Sequence, residues 1–584
     1  MRISIHQTHH TVAAFDDIFK YLKQAVGDSK EDTLHLLPEL FLTGYPLQDL
    51  CLQRSFIDAY LEFQKEINDW STSLQKQNTC FLFGGLDYQF CGDTDGVPRN
   101  IKNVIYKLIP GQKIEAIYTK KLLPNYDIFD EEKYFTKGDK TGVLNFCNHK
   151  IALLICEDMW HSSVHQIDPV SDLESLNQKF DLVVNLSASP FNLHKNDKRT
   201  QRSLEIANRL NAPYVYVNRV GGEDEILFDG NSFCVDGTKE VFNLKSFQQD
   251  MIELECPIYN GEKSLINSKI ENTWEGLFSA NLIDTQNGHI PKLKPLDDNL
   301  CQSIVDALCF GVQEYAKKSY FKKFVVALSG GLDSALVLAL LKLSLKKGQE
   351  LEAIFMPSQY TRDISYDASK EMCKRINIPM HVIPIMGAHN YFRDMFKEKV
   401  GESIEGLTDE NIQSRLRGLL LYARSNQSDA LVINTSNKSE LAVGYSTIYG
   451  DSVGAISLLG DLYKSEVFDV SRYINKKYGE IIPVEIIDRP PSAELRADQE
   501  DTDSLPPYDR MDAILEGILS YRLSGKKLVE LGHDPIEVET VLNLYRKTEY
   551  KRIQFCPIIK LKSKSFGFGY RVPITKDSTY YMKS

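Results

Sequence analysis

Residues 325–341 read Val325-Val-Ala-Leu-Ser-Gly-Gly-Leu-Asp-Ser-Ala-Leu-Val-Leu-Ala-Leu-Leu341, and the fold of the second half of the chain is decided here. Phe324 to Leu328 is an apolar, β-branched run of the kind that forms a buried strand. Ser329, Gly330 and Gly331 make a small-residue turn, and an apolar helix opens at Asp333 and Ser334. A strand, a glycine turn and a helix N-terminus together form an anion site: glycine lets the backbone approach phosphate oxygens, and the first helical N–H groups point at the charge. No Gly-Lys-Ser/Thr follows, so this is not the phosphate loop of kinases and GTPases. Asp333 would repel phosphate unless a divalent cation lay between them. The combination points to pyrophosphate held with a metal.

The string Ser329-Gly-Gly-Leu-Asp-Ser334 resembles the loop of ATP pyrophosphatases, which split ATP to AMP and pyrophosphate while adenylating a substrate. Apolar strands near Glu352–Met356, His381–Ile385 and Ala430–Asn434 alternate with helices after it. They predict a doubly wound parallel sheet with ligands at the carboxyl ends of its strands. Before the loop, an amphipathic helix starts at Leu300, with Ile304, Val305, Leu308, Val312 and Tyr315 on one face.

The chain has 584 residues, long enough for two large domains or three to four small ones, and its composition, 42% hydrophobic and 25% charged, is that of a globular protein with a full core. Its net charge of −12 argues against general binding to nucleic acid or to an anionic membrane. No apolar run approaches the ~20 residues needed to cross a bilayer, and no signal-peptide pattern opens the chain. Eleven cysteines without paired spacing fit a reducing cytosol and predict no zinc site.

In the first half, apolar runs at Ile3–Ile5, Thr33–Leu37, Cys80–Phe83, Val104–Leu108, Ile151–Ile155, Leu182–Leu186 and Tyr214–Val217 read as strands, with helices at Phe15–Val26 and Phe56–Leu74 between some of them. This predicts a first α/β domain over 1–245, a polar connecting region over 246–298, and a second domain over 299–584. The Pro-rich, acidic stretch Arg489–Pro507 is expected to be a long functional loop.

Three first-half residues suit nucleophilic chemistry. Glu39 follows one strand, Cys156 ends another, and Lys120 lies in Tyr118-Thr-Lys-Lys-Leu-Leu-Pro-Asn-Tyr126. A carboxylate can take a thiol proton, and an ammonium can stabilise the oxyanion that thiolate attack creates. The strings Pro38-Glu-Leu-Phe-Leu-Thr-Gly-Tyr-Pro46, Leu123-Pro-Asn-Tyr126 with Phe129-Asp-Glu131, Ile155-Cys-Glu-Asp158 and Asn185-Leu-Ser-Ala-Ser-Pro190 resemble the nitrilase superfamily. That resemblance implies an αββα sandwich and a Glu39–Lys120–Cys156 triad, with Lys121 as the rival lysine. In the glutaminase branch it implies that Tyr126, Ser189 (or Ser187) and Lys195 hold glutamine.

In the second half, Glu410-Asn411-Ile-Gln-Ser-Arg415-Leu-Arg417 is helical, with Asn411 and Arg415 on one face. Thr435-Ser-Asn-Lys-Ser-Glu440 follows a strand, and Pro491-Ser492 opens the acidic loop. In this order they resemble the NAD synthetases, and with the first half almost the whole chain resembles the glutamine-dependent NAD+ synthetases, ligases that form a C–N bond. The resemblance implies that Ser329, Gly330, Gly331, Asp333, Ser334, Thr435, Lys464 and Ser492 contact ATP. It gives Asn411, Arg415, Glu440 and Lys551 to deamido-NAD (nicotinate adenine dinucleotide), and Asp333 and Glu440 to Mg2+. It also implies a homo-oligomer. Three places depart from the family pattern: Thr361-Arg362, Cys556-Pro-Ile-Ile-Lys560, and Arg219 with Glu223, where glutamines are usual.

Overall fold

The computed structural model describes residues 1–90, 98–161, 165–261, 283–284 and 291–577. The chain divides into two compact units, Met1–Ile270 and Glu271–Ser584. Among the described residues no helix is long and apolar enough to cross a membrane, and the ten described cysteines are free thiols.

Among the described residues the first unit has fourteen strands: β1 Arg2–Gln7, β2 Thr33–Leu36, β3 Cys80–Phe90, β4 Pro98–Leu108, β5 Glu115–Thr119, β6 Gly142–Phe146, β7 His149–Ile155, β8 Leu182–Ser187, β9 Tyr214–Asn218, β10 Val220–Glu223, β11 Ile226–Asp229, β12 Phe233–Val235, β13 Glu240–Asn243 and β14 Asp250–Glu255. One six-stranded sheet has the order β14-β1-β2-β3-β4-β5, and the other β13-β12-β9-β8-β7-β6. β10 and β11 form a separate hairpin.

The period of two in strand side chains explains the layers. In β3, Cys80 and Leu82 point into a core shared with Leu144, Ile151, Leu153 and Val184 of the other sheet. Phe81 and Phe83 point the other way, onto helices α1 (Phe15–Gly27) and α2 (Arg54–Ser73) through Ile18, Leu22, Tyr60 and Phe63. In β7, Ile151, Leu153 and Ile155 face the shared core. Ala152 and Leu154 meet Val170, Leu173, Ile206 and Leu210 of helices α3 (Pro169–Ser175) and α4 (Lys195–Leu210). The unit is an αββα sandwich whose central strands are apolar on both faces, hence the unbroken apolar runs.

β14 lies within 246–298, the stretch read as connecting. Asp-Met-Ile-Glu-Leu-Glu there pairs antiparallel with β1. It is a half-exposed edge strand whose outward Glu253 meets Arg2 and Lys30, so its composition is polar. Residues 262–282 and 285–290 of that region lie outside the described residues.

The second unit has a short hairpin, β15 Ile283–Asp284 with β16 Lys292–Leu293. Its main sheet has five strands: β17 Lys323–Ala327, β18 Glu350–Phe355, β19 Met380–Val382, β20 Ala430–Asn434 and β21 Ile456–Ser457. All pair in parallel, in the order β19-β18-β17-β20-β21. The order reverses at β17, so a crevice opens at its carboxyl end, between the loops after β17 and β20. Helices α5 (Asp298–Lys318) and α6 (Leu332–Ser344) accompany this sheet. α6 is apolar almost all round because it is buried on nearly every side.

Gly84 shows how closely the first sheet is threaded. A Cβ there would lie 2.0 Å from Leu40 N and 2.6 Å from Glu39 Cα. At Gly27, the last residue of α1, a Cβ would meet nothing within 4 Å. Gly84→Ala is expected to weaken the first unit by about 1–3 kcal/mol, read as an earlier first transition in denaturant unfolding. Gly27→Ala is expected to leave that transition in place or delay it slightly.

Candidate active sites

In the sandwich, Glu39 lies just after β2, Lys120 just after β5, and Cys156 just after β7. Strands from both sheets thus deliver all three to one end. Cys156 has a φ of +42°, a left-handed backbone that costs an L-residue ~1–2 kcal/mol and holds the thiol at a sharp strand-to-helix corner.

Lys120 Nζ donates to Glu39 Oε1 at 2.7 Å and to Glu131 Oε1 and Oε2 at 2.9 and 2.8 Å. The ammonium and both carboxylates are almost wholly buried. Burial alone would lower the lysine's pKa, but Glu131 and Glu39 outweigh it and hold it well above its usual value. Glu39 also accepts from Asn103 Nδ2 at 2.7 Å and from the backbone N–H of Ala188 at 2.8 Å. Glu131 accepts from the Tyr45 hydroxyl at 3.0 Å. Burial, then the charge of Glu39, push the Cys156 thiol well above its ordinary pKa, against the pull of Lys120. Cys156 is thereby held as a thiol in the field of the Glu39 carboxylate. Lys121 points elsewhere: its ammonium pairs with Asp172 at 2.6 Å.

Among the expected glutamine contacts, Tyr126 donates to Glu157 Oε1 and Oε2 at 3.0 and 3.1 Å. Lys195 opens α4, and its charge is felt by Cys156 and Glu157. The Ser189 hydroxyl accepts from Arg199 at 3.1 Å, and Ser187 donates to Asn185 Oδ1 at 3.3 Å. Glu131, Asn103 and Glu157 received no role from sequence reasoning. Glu131 stands within a quoted string and Glu157 beside the cysteine; nothing in the sequence marks Asn103. At the departure from family pattern, Arg219 donates to Glu223 at 2.8 Å, to the His10 carbonyl at 3.0 Å and to the Tyr45 carbonyl, so the exchanged charges compensate each other.

In the second unit the glycine turn forms as read. Gly330 has a φ of +81°, and a Cβ there would strike Ser365 O at 2.6 Å. Ser329 Oγ accepts from Gly331 N at 3.1 Å, and Ser334 Oγ accepts from Ser329 N at 3.2 Å. A cavity of about 230 Å³ opens above the turn, lined by Ser329, Gly331, Asp333, Thr435, Glu440, Lys464 and Ser492. Gly330 and Ser334 do not line it. Asp333 Oδ1 accepts from Asn437 at 2.9 Å, and Oδ2 accepts from Lys464. Lys464 Nζ is also 3.9 Å from Glu440 Oε1. Burial first and Asp333 second push Glu440 well above the usual carboxylate range. Asp501 lines the same cavity, with Tyr508 donating to it at 2.9 Å; Arg417 and Arg489 also line it. None of these three had a role from the sequence.

Asn411, Arg415 and Lys551 do not line that cavity. They gather on the loop after Glu440: Thr447 donates to Asn411 at 2.7 Å, Arg415 donates to the Ile448 carbonyl at 3.3 Å, and Lys551 donates to the carbonyls of Gly444 and Ser446 at 2.8 and 2.6 Å. Lys551 lines a second recess of about 200 Å³ with Tyr422, Tyr449 and Gln554.

Two sites of different chemistry in one chain define an amidotransferase with a nitrilase-type half and a nucleotide-activating half. The carbon-nitrogen hydrolase family matches residues 3–250, and the NAD synthase family matches residues 304–555. The glutamine-dependent NAD(+) synthetases of a Synechocystis strain and of Thermotoga maritima are each 34% identical, over 98% of this chain and 98% of theirs. The solved structure of the glutamine-dependent NAD+ synthetase from Acinetobacter baumannii, in complex with ADP, is similar at 30% identity and a TM-score of 0.70, covering 98% of both chains. That from Cytophaga hutchinsonii shares the fold at 18% identity and a TM-score of 0.78, covering 99% of this chain and 98% of its own. The chain belongs to the glutamine-dependent NAD+ synthetases, ligases that make NAD+ with glutamine as nitrogen donor.

Burial lowers Lys195 to about 8. It is charged below that pH and loses its charge as pH rises through it. If its ammonium receives the glutamine carboxylate, KM for glutamine in glutamate release is expected to climb above about pH 8. Lys195→Arg is expected to flatten that climb, and Lys195→Ala to raise KM at every pH. A wild-type KM that stays level from pH 7 to 10 would remove Lys195 from the binding site.

Proposed function

We propose that Cys156 attacks the side-chain amide of glutamine while Glu39 accepts the thiol proton and Lys120 stabilises the oxyanion. The tetrahedral intermediate collapses to a γ-glutamyl thioester and releases ammonia. Water activated by Glu39 then frees glutamate. Tyr126, Ser189 and Lys195 hold the amino acid. Lys195 lies at the positive end of α4, which adds helical N–H groups for the α-carboxylate, and Glu157 is placed to accept from the α-ammonium.

In the second unit the crevice at β17 takes ATP. Ser329, Gly330, Gly331 and Ser334 cradle its phosphates, with Thr435, Lys464 and Ser492 around the nucleotide. Asn411, Arg415, Glu440 and Lys551 hold deamido-NAD. Its nicotinate carboxylate attacks the α-phosphorus, pyrophosphate leaves, and ammonia then displaces AMP to give the carboxamide. Lys464 stabilises the charge that builds on the leaving phosphates.

Asp333 and Glu440 fit Mg2+. Both are carboxylates, and their mutual repulsion is offset here by a single ammonium. Among the described residues no three His, Cys, Asp or Glu side chains come together to hold a metal alone, in keeping with a cation bound by one or two carboxylates and substrate phosphates. When bound, the metal neutralises phosphate charge.

Free thiols support a cytosolic setting. Exposed Tyr391, Leu407 and Leu419 on the helices Met386–Val400 and Leu407–Ser428 support self-association.

The observation that carries this reading is the Lys120 ammonium sealed between Glu39 and Glu131 beside Cys156, in one chain with a phosphate loop at a sheet's switch point. Cys156→Ala tests it. NAD+ formation with glutamine is expected to fall at least ~1,000-fold, while formation with ammonium stays near wild type. Survival of both activities would refute the triad.

A further inference from the structure

The helix α7 (Tyr508–Leu519) carries Tyr508, Asp512 and Glu516 at four-residue intervals on one face, beside the buried Met511, Ile514, Leu515 and Ile518. Each meets the synthetase site from behind. Tyr508 donates to Asp501 at 2.9 Å, and its ring lies 5.6 Å from Lys464 Nζ. Glu516 accepts from the Tyr463 hydroxyl at 2.8 Å.

Asp512 between them is fully buried. Ser439 Oγ donates to its Oδ1 at 2.5 Å, and Ser465 N and Oγ donate to its Oδ2 at 2.9 and 2.7 Å. Ser439 Oγ in turn accepts from Lys464 N at 2.9 Å. Ser439 lies in the first turn of the helix Lys438–Val443, and Ser465 in the first turn of the helix Lys464–Tyr478. Each serine is the immediate neighbour of a residue in the cavity, Glu440 in one case and Lys464 in the other. One carboxylate therefore holds together the two helix starts that present those groups. A buried carboxylate paired with neutral donors is a costly way to join two helices that apolar packing could join. Burial lifts its pKa to about 6, and at neutral pH the three donors meet an anion.

We propose that Asp512 is a positioning residue of the synthetase site, setting the separation of Glu440 and Lys464 about Asp333 so that ATP phosphates and their cation fit between them. This rests on the reading of those three residues as the ATP and metal site.

The test is ammonium-driven NAD+ synthesis by the full chain at varied ATP and MgCl2, with glutamine hydrolysis and thermal melting followed on the same preparations. Asp512→Asn keeps the volume and an acceptor for Ser465, but turns a donor toward Ser439. It is expected to raise KM for ATP and the MgCl2 requirement about tenfold, with glutamine hydrolysis unchanged. Ser439→Ala removes the same tie from the other side and is expected to move KM for ATP in the same direction. The double variant is expected to be no worse than Asp512→Asn, because both changes cut one connection. A wild-type KM for ATP in Ser439→Ala overturns the proposal, whether or not Asp512→Asn folds. So does a lower melting temperature in Asp512→Asn with unchanged ATP kinetics. Lys464→Ala separates the two layers: if it still makes NAD+ at the wild-type rate, the site reading fails and the proposal falls with it, whereas lost activity there with a wild-type KM for ATP in Ser439→Ala overturns the role of Asp512 alone.

Discussion

The ammonium of Lys120, sealed between Glu39 and Glu131, is the interaction on which the first half of the chain turns. Removing a lysine and two carboxylates from water costs several kcal/mol for each ion. The cost is met only because the three sit within hydrogen-bond distance, with Asn103, Ala188 N–H and Tyr45 filling the remaining lone pairs. One cation cannot neutralise two carboxylates. The surplus negative charge, with burial, keeps the Cys156 thiol protonated. The fold exists to hold this arrangement. Strand ends from two sheets meet at one rim, and the close approach of Gly84 to Glu39 leaves the backbone of Glu39 little room to drift.

The second site repeats the charge pattern for another purpose. Lys464 stands between Asp333 and Glu440, again one ammonium against two carboxyl groups, here half-buried. Here the surplus charge faces an open cavity at the switch point of a parallel sheet, not a thiol. In the proposed reaction a proton resolves the first imbalance and a divalent cation with phosphates resolves the second. The two halves share no fold, but in each a single lysine faces one carboxylate more than it can neutralise.

What was legible in the sequence follows from this physics. Strands buried on both faces, such as Ile151–Ile155 and Phe324–Leu328, advertise themselves as unbroken apolar runs. The turn at Gly330 is legible because the chain needs a positive φ beside Ser365. β5, β6, β13 and β14 mix polar and apolar residues because they lie at or near sheet edges, and no periodic signal separates them from loops. Glu39, Lys120 and Cys156 could be singled out because each abuts a recognisable strand or motif. Asn103 and Asp512 could not. Their roles come from contacts 64 residues apart in the case of Asn103 and Glu39, and 73 apart for Asp512 and Ser439, and only the folded chain brings such pairs together.

The most direct test of this account is the identity of the covalent intermediate. Acid quenching during glutamine turnover, followed by mass spectrometry of the peptide containing Cys156, is predicted to show a glutamyl group in thioester linkage on that cysteine, and none when Glu39→Gln is treated alike. A glutamyl group on another residue, or an unmodified Cys156 under steady turnover with undiminished activity in Glu39→Gln, would contradict it.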